Sequence, residues 1–533
     1  MLETLNILMA QINPIVGGID YNQHKIIEII TAKQSNHDVI IFPELAITGY
    51  PPEDLLFRKD FHEAVMRSLK KIQEVTQSCY VIVGHPTIEQ SSCYNSVSVF
   101  YQGQKIKAYN KQKLPNYEIF DEMRYFTPGP KDPCILQIKS HRIGICICED
   151  LWQTGPVDDL IDSGVSTIIS INASPFDYDK YYRREELLKS HSLRGVNIIY
   201  VNQIAGQDEL LFDGQSLAID KTGNVCVRSP AFEEDLVSIQ LNETGIKGSI
   251  TPLLSIEALI YKALVCGTRD YVEKNNFPGV LLGLSGGIDS ALTLAIAVDA
   301  LGAKRVHAVM MPSRYTAAMS GEDALKQLDL LGVSHSTLSI EPIFNTINST
   351  LEPVFSGLAP DTTEENIQAR IRGMLLMAMS NKTGNMVLTT SNKSESAVGY
   401  ATLYGDMAGG FSVLKDVLKT QVYALAQYRN TLSVVIPERV ITRAPSAELK
   451  ANQTDQDSLP DYHILDAIIV GYIENTLTAA EIIHEGFDAQ TVHKVIKLIK
   501  RNEYKRRQAA PGIKISPTAF GKDWRYPITN NFL

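Results

Sequence analysis

Three polar side chains in the first half of the chain sit where a reactive group would be useful. Glu44 closes the apolar run DVIIFPEL, Lys111 follows a hairpin-like stretch in AYNKQKLPNY, and Cys148 closes RIGICIC just before Glu149 and Asp150. A thiol with an ordinary pKa of about 8.5 is a poor nucleophile at neutral pH unless a base takes its proton or a cation holds the thiolate. A carboxylate and an ammonium supply both, and the ammonium can also stabilise the oxyanion of a tetrahedral adduct. Taken singly, each has an ordinary reading: a strand cysteine is usually a small buried hydrophobe, and a lone Glu or Lys is usually solvated surface. Strand alternation puts Gly144, Cys146 and Cys148 on one face. Only Cys148 stands at the strand end, so Cys146 is the structural cysteine.

The second half holds a different kind of site. GVLLGLSGGIDSALTLAIAVDALGA reads as a buried strand, a glycine turn and an apolar helix opening at Asp289 or Ser290. Such a unit aims successive backbone N–H groups at an anion, and the helix start adds about half a positive charge. Gly286 and Gly287 allow close approach, and no Lys follows them, which excludes a Walker A loop. Asp289 would repel phosphate unless a cation intervenes. A magnesium ion bridging Asp289 to the phosphates removes the conflict; Asp289 as the helix N-cap fits the same position.

The elements that must position these groups are legible around them. In the first half LNILMAQI is a strand, YNQHKIIEIITAKQ an amphipathic helix, and a long helix runs through DLLFRKDFHEAVMRSLKKIQEV. CYVIVGHP, a hairpin turning at Gln102 and Gly103, RIGICIC, TIISINASP, NIIYVNQIAG and a second hairpin over GQSLAIDKTGNVCVRSP supply strands. This is an α/β layered domain with reactive groups at strand ends, where such sheets present side chains to a crevice. A Gly- and Pro-punctuated stretch near residue 250 divides domains at 1–248 and 249–533. Beyond it RVHAVMMPS, HSTLSI and NMVLTTSN alternate with helices, as in a doubly wound parallel sheet.

Composition bounds what these sites can serve. The 533 residues exceed one ordinary core, and 44% hydrophobic with 21% charged residues is a globular composition. Fifty basic against sixty acidic residues leave a net charge of −10, so no global field invites nucleic acid or an anionic membrane. The basic run HKVIKLIKRNEYKRR reads as the solvated face of a helix. ANQTDQDSLPDYHILD lacks the glycine of a calcium loop and reads as a mobile lid or connection. The seven cysteines include no CxxC pair and all precede residue 267, which suits reduced thiols. With no basic leader and no apolar run of about 18 residues, a cytoplasmic location is expected.

Three segments resemble the nitrilase, or carbon-nitrogen hydrolase, superfamily: PELAITGYPPEDL, KQKLPNYEIFDEMRYF and GICICEDLW, in the order of that family's Glu-Lys-Cys triad. The resemblance implies an αββα sandwich, with Glu44 as general base, Lys111 rather than Lys113 as oxyanion stabiliser, and Cys148 as the acylated nucleophile. It further implies Glu122 as an auxiliary acid, and Tyr117, Ser174 and Lys180 as holders of the amide substrate. The loop Gly283, Leu284, Ser285, Gly286, Gly287, Ile288, Asp289 and Ser290 resembles the pyrophosphatase loop of ATP-dependent adenylating enzymes. The block from TTEENIQARIRGM to LKTQVY and the tail YKRRQAAPG are similar to the NAD synthetase family. That similarity implies ATP contacts at Thr390 and Lys419, a magnesium site at Asp289 and Glu395, and deamido-NAD contacts at Asn366, Arg370, Glu395 and Lys505. Leu403 and Gly410 stand where ammonia-using members carry Lys and Asp, and neither is assigned.

Together the halves resemble the glutamine-dependent NAD synthetase family. The resemblance implies that the first half releases ammonia from glutamine. The second half would spend ATP to adenylate deamido-NAD and amidate it, through a closed tunnel that keeps ammonia unprotonated. A homo-oligomer, at least a dimer through the second domain, is implied too. Another glutamine-fed adenylating synthetase, or a non-catalytic nucleotide-binding scaffold, are the competing readings.

Overall fold

Residues 3–450, 453–457 and 459–532 are described in a computed structural model, in which the chain divides after Leu254 into two units. The first strand, β1 (Leu5–Gln11), alternates its side chains between two cores. Leu5, Ile7 and Met9 join one buried cluster, and Leu8 and Ala10 join another. β1 runs parallel to β2 (Val39–Ile41), and β2 runs parallel to β3 (Tyr80–Glu89). α1 (Ile19–Lys33) and α2 (Lys59–Val75) make the two crossovers. β4 (Ser92–Tyr101) and β5 (Gln104–Asn110) extend this sheet antiparallel beyond β3.

The second sheet of the unit has β6 (Cys134–Ile138) at one edge, then β7 (His141–Ile147), α3 (Pro156–Asp162), β8 (Thr167–Asn172), α4 (Lys180–Ser192) and β9 (Asn197–Asn202). β7, β8 and β9 are parallel. A short ribbon of β10 (Ile204–Gln207) and β11 (Leu210–Asp213) follows. β12 (Leu217–Ile219) and β13 (Val225–Arg228) then complete the second sheet, in the order β13-β12-β9-β8-β7-β6. The chain returns to the first sheet through β14 (Asp235–Asn242) and β15 (Gly245–Lys247), giving β15-β14-β1-β2-β3-β4-β5. Ile7, Val39 and Ile82 of one sheet pack with Ile145, Ile169 and Ile199 of the other. Ile26, Ile30, Val65 and Leu69 cover the outer face of the first sheet, and Leu160 and Leu188 that of the second. The layers are therefore αββα, each sheet buried on both faces, which is why these strands read as nearly continuous Ile and Val.

Two expectations need correction. The long helix through residues 54–75 is interrupted: Glu53–Phe57 form a 3₁₀ turn, Arg58 is extended (ψ 125°), and α2 starts at Lys59. Cys146 and Cys148 do not share a face. Cys146 packs with Leu160 and Leu188 under the outer helices, whereas Cys148 joins the cluster between the sheets. The strand ends at Ile147, and Cys148 takes a left-handed conformation (φ +45°) that opens a 3₁₀ turn. Alternation stops where that turn begins.

In the second unit α5 (Ile256–Lys274) leads into β16 (Val280–Gly283), α6 (Ile288–Leu301), β17 (Val306–Met310), α7 (Ala318–Leu331) and β18 (Ser334–Thr337). α8 (Glu341–Phe355) and α9 (Thr362–Thr383) precede β19 (Met386–Thr389), α10 (Lys393–Val398), β20 (Phe411–Ser412) and α11 (Lys419–Leu432). All four strand pairs are parallel, in the order β18-β17-β16-β19-β20. The chain thus winds outward from β16 to one side and then restarts on the other at β19. The switch point between β16 and β19 opens a crevice at their carboxyl ends, the usual ligand position in such sheets. In the basic run, Val495, Ile496 and Ile499 face the core while Lys494 and Lys497 are exposed. No described helix is long and apolar enough to cross a membrane.

Candidate active sites

β2 ends at Ile41, and the chain then delivers Glu44 into the interior, followed by Leu45 with φ +47°. β3 passes so close that a Cβ on Gly84 would stand 2.5 Å from the Leu45 nitrogen and 2.6 Å from the Pro43 oxygen. Only glycine fits there. Glu44 Oε1 accepts from Lys111 Nζ (2.8 Å) and Asn95 Nδ2 (2.7 Å), and Oε2 accepts from the Ala173 N–H (2.8 Å). Lys111 Nζ also donates to Glu122 Oε1 (2.8 Å), which accepts from the Tyr50 hydroxyl (2.8 Å). Glu44, Lys111 and Glu122 are all buried, with Lys111 only 1% exposed. It is Lys111 that reaches Glu44; Lys113 instead gives its backbone N–H to Asp150.

One ammonium therefore serves two carboxylates out of water. Burial works against the Lys111 charge, yet Glu122 and Glu44 override it and hold its pKa well above the ordinary value. Burial pushes Glu122 up to about 7; Lys111 opposes this and Glu44 adds to it. The Cys148 thiol is pushed up by burial and by the Glu44 charge, against the pull of Lys111. The resting nucleophile is a protonated thiol that needs a base beside it.

Asp150 ties the two chain segments together. Its Oδ1 accepts the backbone N–H groups of Gln112 (3.1 Å) and Lys113 (2.9 Å), and its Oδ2 accepts from Tyr109 (2.8 Å) and the Ile147 N–H (3.1 Å). Burial pushes this carboxyl up to about 6 from 3.8, against the pull of those hydrogen bonds. Between those values the native protein binds the extra proton, so the contribution of Asp150 to stability is full below about pH 3.8 and is lost as pH rises through about 6. We expect Asp150→Asn to remove on the order of 3 kcal/mol from the pH dependence across that window, read as the difference between wild-type and variant urea-unfolding free energies.

The remaining predicted residues of this unit lie around the same centre. Tyr117 is exposed and donates to both Glu149 oxygens (3.1 Å each). Ser174 is buried after β8, its N–H bonded to Asn202 Oδ1 (2.9 Å), and Lys180 Nζ lies 4.4 Å from the Trp152 ring centroid. Tyr50 and Asn95 were missed, since nothing local in sequence marks a tyrosine before a proline pair or an asparagine on a strand. Cys146 stands outside this set. Cys146→Ala should leave the activity of this site within about twofold of wild type, and loss of a small buried group should cost about 1 kcal/mol in urea unfolding.

In the second unit the turn after β16 shapes the other site. Gly286 has φ +81°, and a Cβ there would meet the Ser320 carbonyl at 2.2 Å. Ser290 Oγ accepts the Ser285 N–H (3.3 Å) and donates to the Gly287 carbonyl (2.9 Å), bracing the loop. Gly287, without a side-chain cap, is the N-cap of α6, so Asp289 is not the cap. Its carboxylate faces sideways instead, accepting from Asn392 Nδ2 (2.8 Å) and Lys419 Nζ (2.5 Å). Lys419 Nζ also reaches Glu395 Oε1 (3.2 Å). Burial pushes Glu395 up to about 8, with Lys419 opposing and Asp289 adding; the two carboxylates hold Lys419 above its ordinary range despite burial.

A cavity of about 310 Å³ opens at this switch point. Gly283 to Ser285, Gly287 to Ser290, Thr390, Glu395 and Lys419 line it, with Gly286 behind the turn. Arg372 and Arg443, which sequence did not single out, line it too. Asn366, Arg370 and Lys505 do not. They meet around 399–403: Asn366 Oδ1 accepts from Thr402 (2.7 Å), Arg370 Nε donates to the Leu403 carbonyl (3.2 Å), and Lys505 Nζ donates to the Gly399 and Ala401 carbonyls (2.9 and 2.8 Å). Thr402 N–H in turn bonds Asp406 (2.7 Å), which lines the cavity. Of the expected lid, Ala451, Asn452 and Ser458 lie outside the described residues, and Asp455 is buried and accepts from Tyr462 (2.8 Å).

Asp289 and Glu395 place two carboxylates around one ammonium, and among the described residues no group of three His, Cys, Asp or Glu gathers as a metal site. Two carboxylates lining a cavity with room for phosphates suit magnesium, which takes one or two protein carboxylates and completes its shell with phosphate oxygens and water.

The fold and sites define a carbon-nitrogen hydrolase domain joined to a doubly wound nucleotide-type domain in one chain. Residues 8–247 match the carbon-nitrogen hydrolase family and residues 260–509 the NAD synthase family. The chain is 48% identical to the glutamine-dependent NAD(+) synthetase of Acinetobacter baylyi, over 100% of this chain and 99% of that one. It is 42% identical to that of Aquifex aeolicus, over 99% and 100%. The solved structure of the glutamine-dependent NAD+ synthetase from Acinetobacter baumannii, in complex with ADP, is 47% identical, covers 99% of this chain and 98% of its own, and superposes with a TM-score of 0.81. The chain belongs to the glutamine-dependent NAD(+) synthetases, enzymes of the carbon-nitrogen ligase type.

Proposed function

We propose that residues 1–248 hydrolyse the side-chain amide of glutamine and that residues 249–533 use the ammonia to convert deamido-NAD into NAD at the expense of ATP. The observation that carries this reading is the buried Glu44–Lys111–Glu122 network beside Cys148, in a chain that also carries the braced glycine turn at the switch point. Glu44 takes the thiol proton as Cys148 Sγ attacks the amide carbon, and the Lys111 ammonium faces the oxyanion. The amide nitrogen leaves as ammonia with the proton returned by Glu44. Water, deprotonated by Glu44, then attacks the thioester, and glutamate departs as the thiol is restored. Glu122 holds Lys111 in place, and Tyr117, Ser174 and Lys180 grip the amino acid.

In the second unit the nicotinate carboxylate attacks the α-phosphorus of ATP, forming an adenylate and releasing pyrophosphate onto the turn from Ser285 to Ser290. Ammonia then displaces AMP. Thr390 and Lys419 contact ATP, and Asn366, Arg370, Glu395 and Lys505 hold deamido-NAD. Magnesium, held by Asp289 and Glu395, would neutralise phosphate charge. We read the enzyme as cytoplasmic and as at least a dimer through its second unit; seven free cysteines support the compartment. The test is an acceptor comparison: deamido-NAD should be amidated from glutamine with release of AMP, and preference for another carboxylate under the same conditions would sink the reading.

A further inference from the structure

A surface cleft of about 440 Å³ in the first unit takes none of its lining from Glu44, Lys111 or Cys148. Its floor is the opening of α1, where Gly18 supplies no side-chain cap. The first N–H groups of a helix have no intrahelical acceptor, and here those of Ile19, Asp20 and Tyr21 border the cleft. A helix start of this kind carries about half a positive charge. The second, independent observation is Gln23. It is 3% exposed, it lies on the lining, and its side-chain amide bonds to no described residue. Neither atom of this amide is sealed from solvent, so its donor and its acceptor are both open to a partner from the cleft.

Cations complete the picture. Arg67 and Lys71 stand four residues apart on α2, both on the lining, and neither pairs with a carboxylate among the described residues. Like charges so placed repel by a few tenths of a kcal/mol, a cost that an anion between them removes. Arg58 also lines the cleft but is engaged with Asp60 (3.3 Å). Asp20 opposes this field, and three cations against Asp20 and Asp60 leave one net positive charge besides the helix start. The volume is many times the ~30 Å³ of a water molecule, and leaves room for more than a bare phosphate.

We propose that this cleft binds a sugar or nucleoside phosphate monoester, its phosphate on the first turn of α1 against Arg67 and Lys71, and a sugar hydroxyl on Gln23. The same helix start braces the loop after Glu44: Gly17 N–H donates to the Thr48 carbonyl (2.9 Å), and Asn22 Nδ2 to the Ile47 carbonyl (2.9 Å). A ligand here adjoins the catalytic loop without entering the catalytic site.

The test is calorimetric titration of the full-length protein with ribose 5-phosphate and, separately, inorganic phosphate. One ribose 5-phosphate should bind per chain, more tightly than inorganic phosphate, with protection of the Ile19, Asp20 and Tyr21 amides from hydrogen exchange. Affinity should fall about tenfold or more in an Arg67→Glu/Lys71→Glu double variant and in Gln23→Leu, each retaining wild-type glutamine hydrolysis as evidence that the first unit is folded. Absence of binding at millimolar concentration, or unchanged affinity in both variants, overturns the proposal. Inorganic phosphate binding as tightly as ribose 5-phosphate overturns the assignment of a monoester.

Discussion

Replacing Cys148 by alanine is expected to abolish NAD formation from glutamine while leaving NAD formation from added ammonia near wild type. The glutamine-driven rate should fall by about 10⁴-fold or more, the scale seen when a covalent nucleophile is removed from its activating groups. Glu44 and Lys111 would remain paired at 2.8 Å, since neither depends on the sulfur for a hydrogen bond. The variant would keep the proposed base and oxyanion partner and lack only the proposed nucleophilic sulfur. Cys148 is a small buried side chain like Cys146, so its loss should likewise cost about 1 kcal/mol in unfolding. The check is a side-by-side assay of wild type and variant with each nitrogen source, plus thermal unfolding. Loss of both activities in a folded variant would show that the two units do not divide the reaction as proposed.

Lys419→Ala should have the opposite pattern, eliminating NAD formation from both nitrogen sources. Its ammonium lies 2.5 Å from Asp289 and 3.2 Å from Glu395 and is 2% exposed. Removing one partner of a buried ion pair costs about 3–5 kcal/mol because the other charge is left uncompensated. Here Asp289 and Glu395 would both lose the ammonium they share. The turn proposed to receive pyrophosphate would lose a neighbouring cation as well. Loss of one such electrostatic group lowers kcat by about 10²–10³-fold. Lys419→Arg, which keeps the charge with a different fork, should recover part of the loss. Thermal unfolding serves as the control that the variant is folded, with glutamate release showing that the first unit is untouched; undiminished ammonia-driven NAD formation would remove Lys419 from the site.

The groups that could be read from sequence are those whose chemistry and position coincide within a few residues. Glu44 and Cys148 end apolar runs, and SGGIDS stands between a strand and a helix, so type and place pointed the same way. Their partners could not be read so. Asn95 lies 51 residues from Glu44, Asn392 lies 103 from Asp289, and Lys419 lies 130 from it; each pairing exists only after sheets close. Resemblance supplied Lys111 and Lys419 but not the facts that the first is shared by two acids and the second bridges two more. Period-two alternation located Cys146 and Cys148 together, and failed because it describes a strand and the strand stops at Ile147. Asp289 reads equally well as cap or phosphate-side acid; Gly287 takes the cap position itself, which removes the first of the two readings.

The pairing of β1 with β14 has a consequence for how this protein comes off the ribosome. Leu5 is opposite Leu241 and Gln11 opposite Asp235, and the Gln11 amide also donates to the Pro230 and Glu233 carbonyls (2.8 Å each). The first strand made must therefore wait for nearly the last strand of its unit before its open edge is covered. At about 5–20 residues per second, that leaves a nascent chain with an unpaired Leu, Ile and Met edge for some tens of seconds. Release of a chain ending short of β14 would leave that edge permanently exposed, so premature termination in the first unit should yield insoluble fragments rather than a free-standing hydrolase.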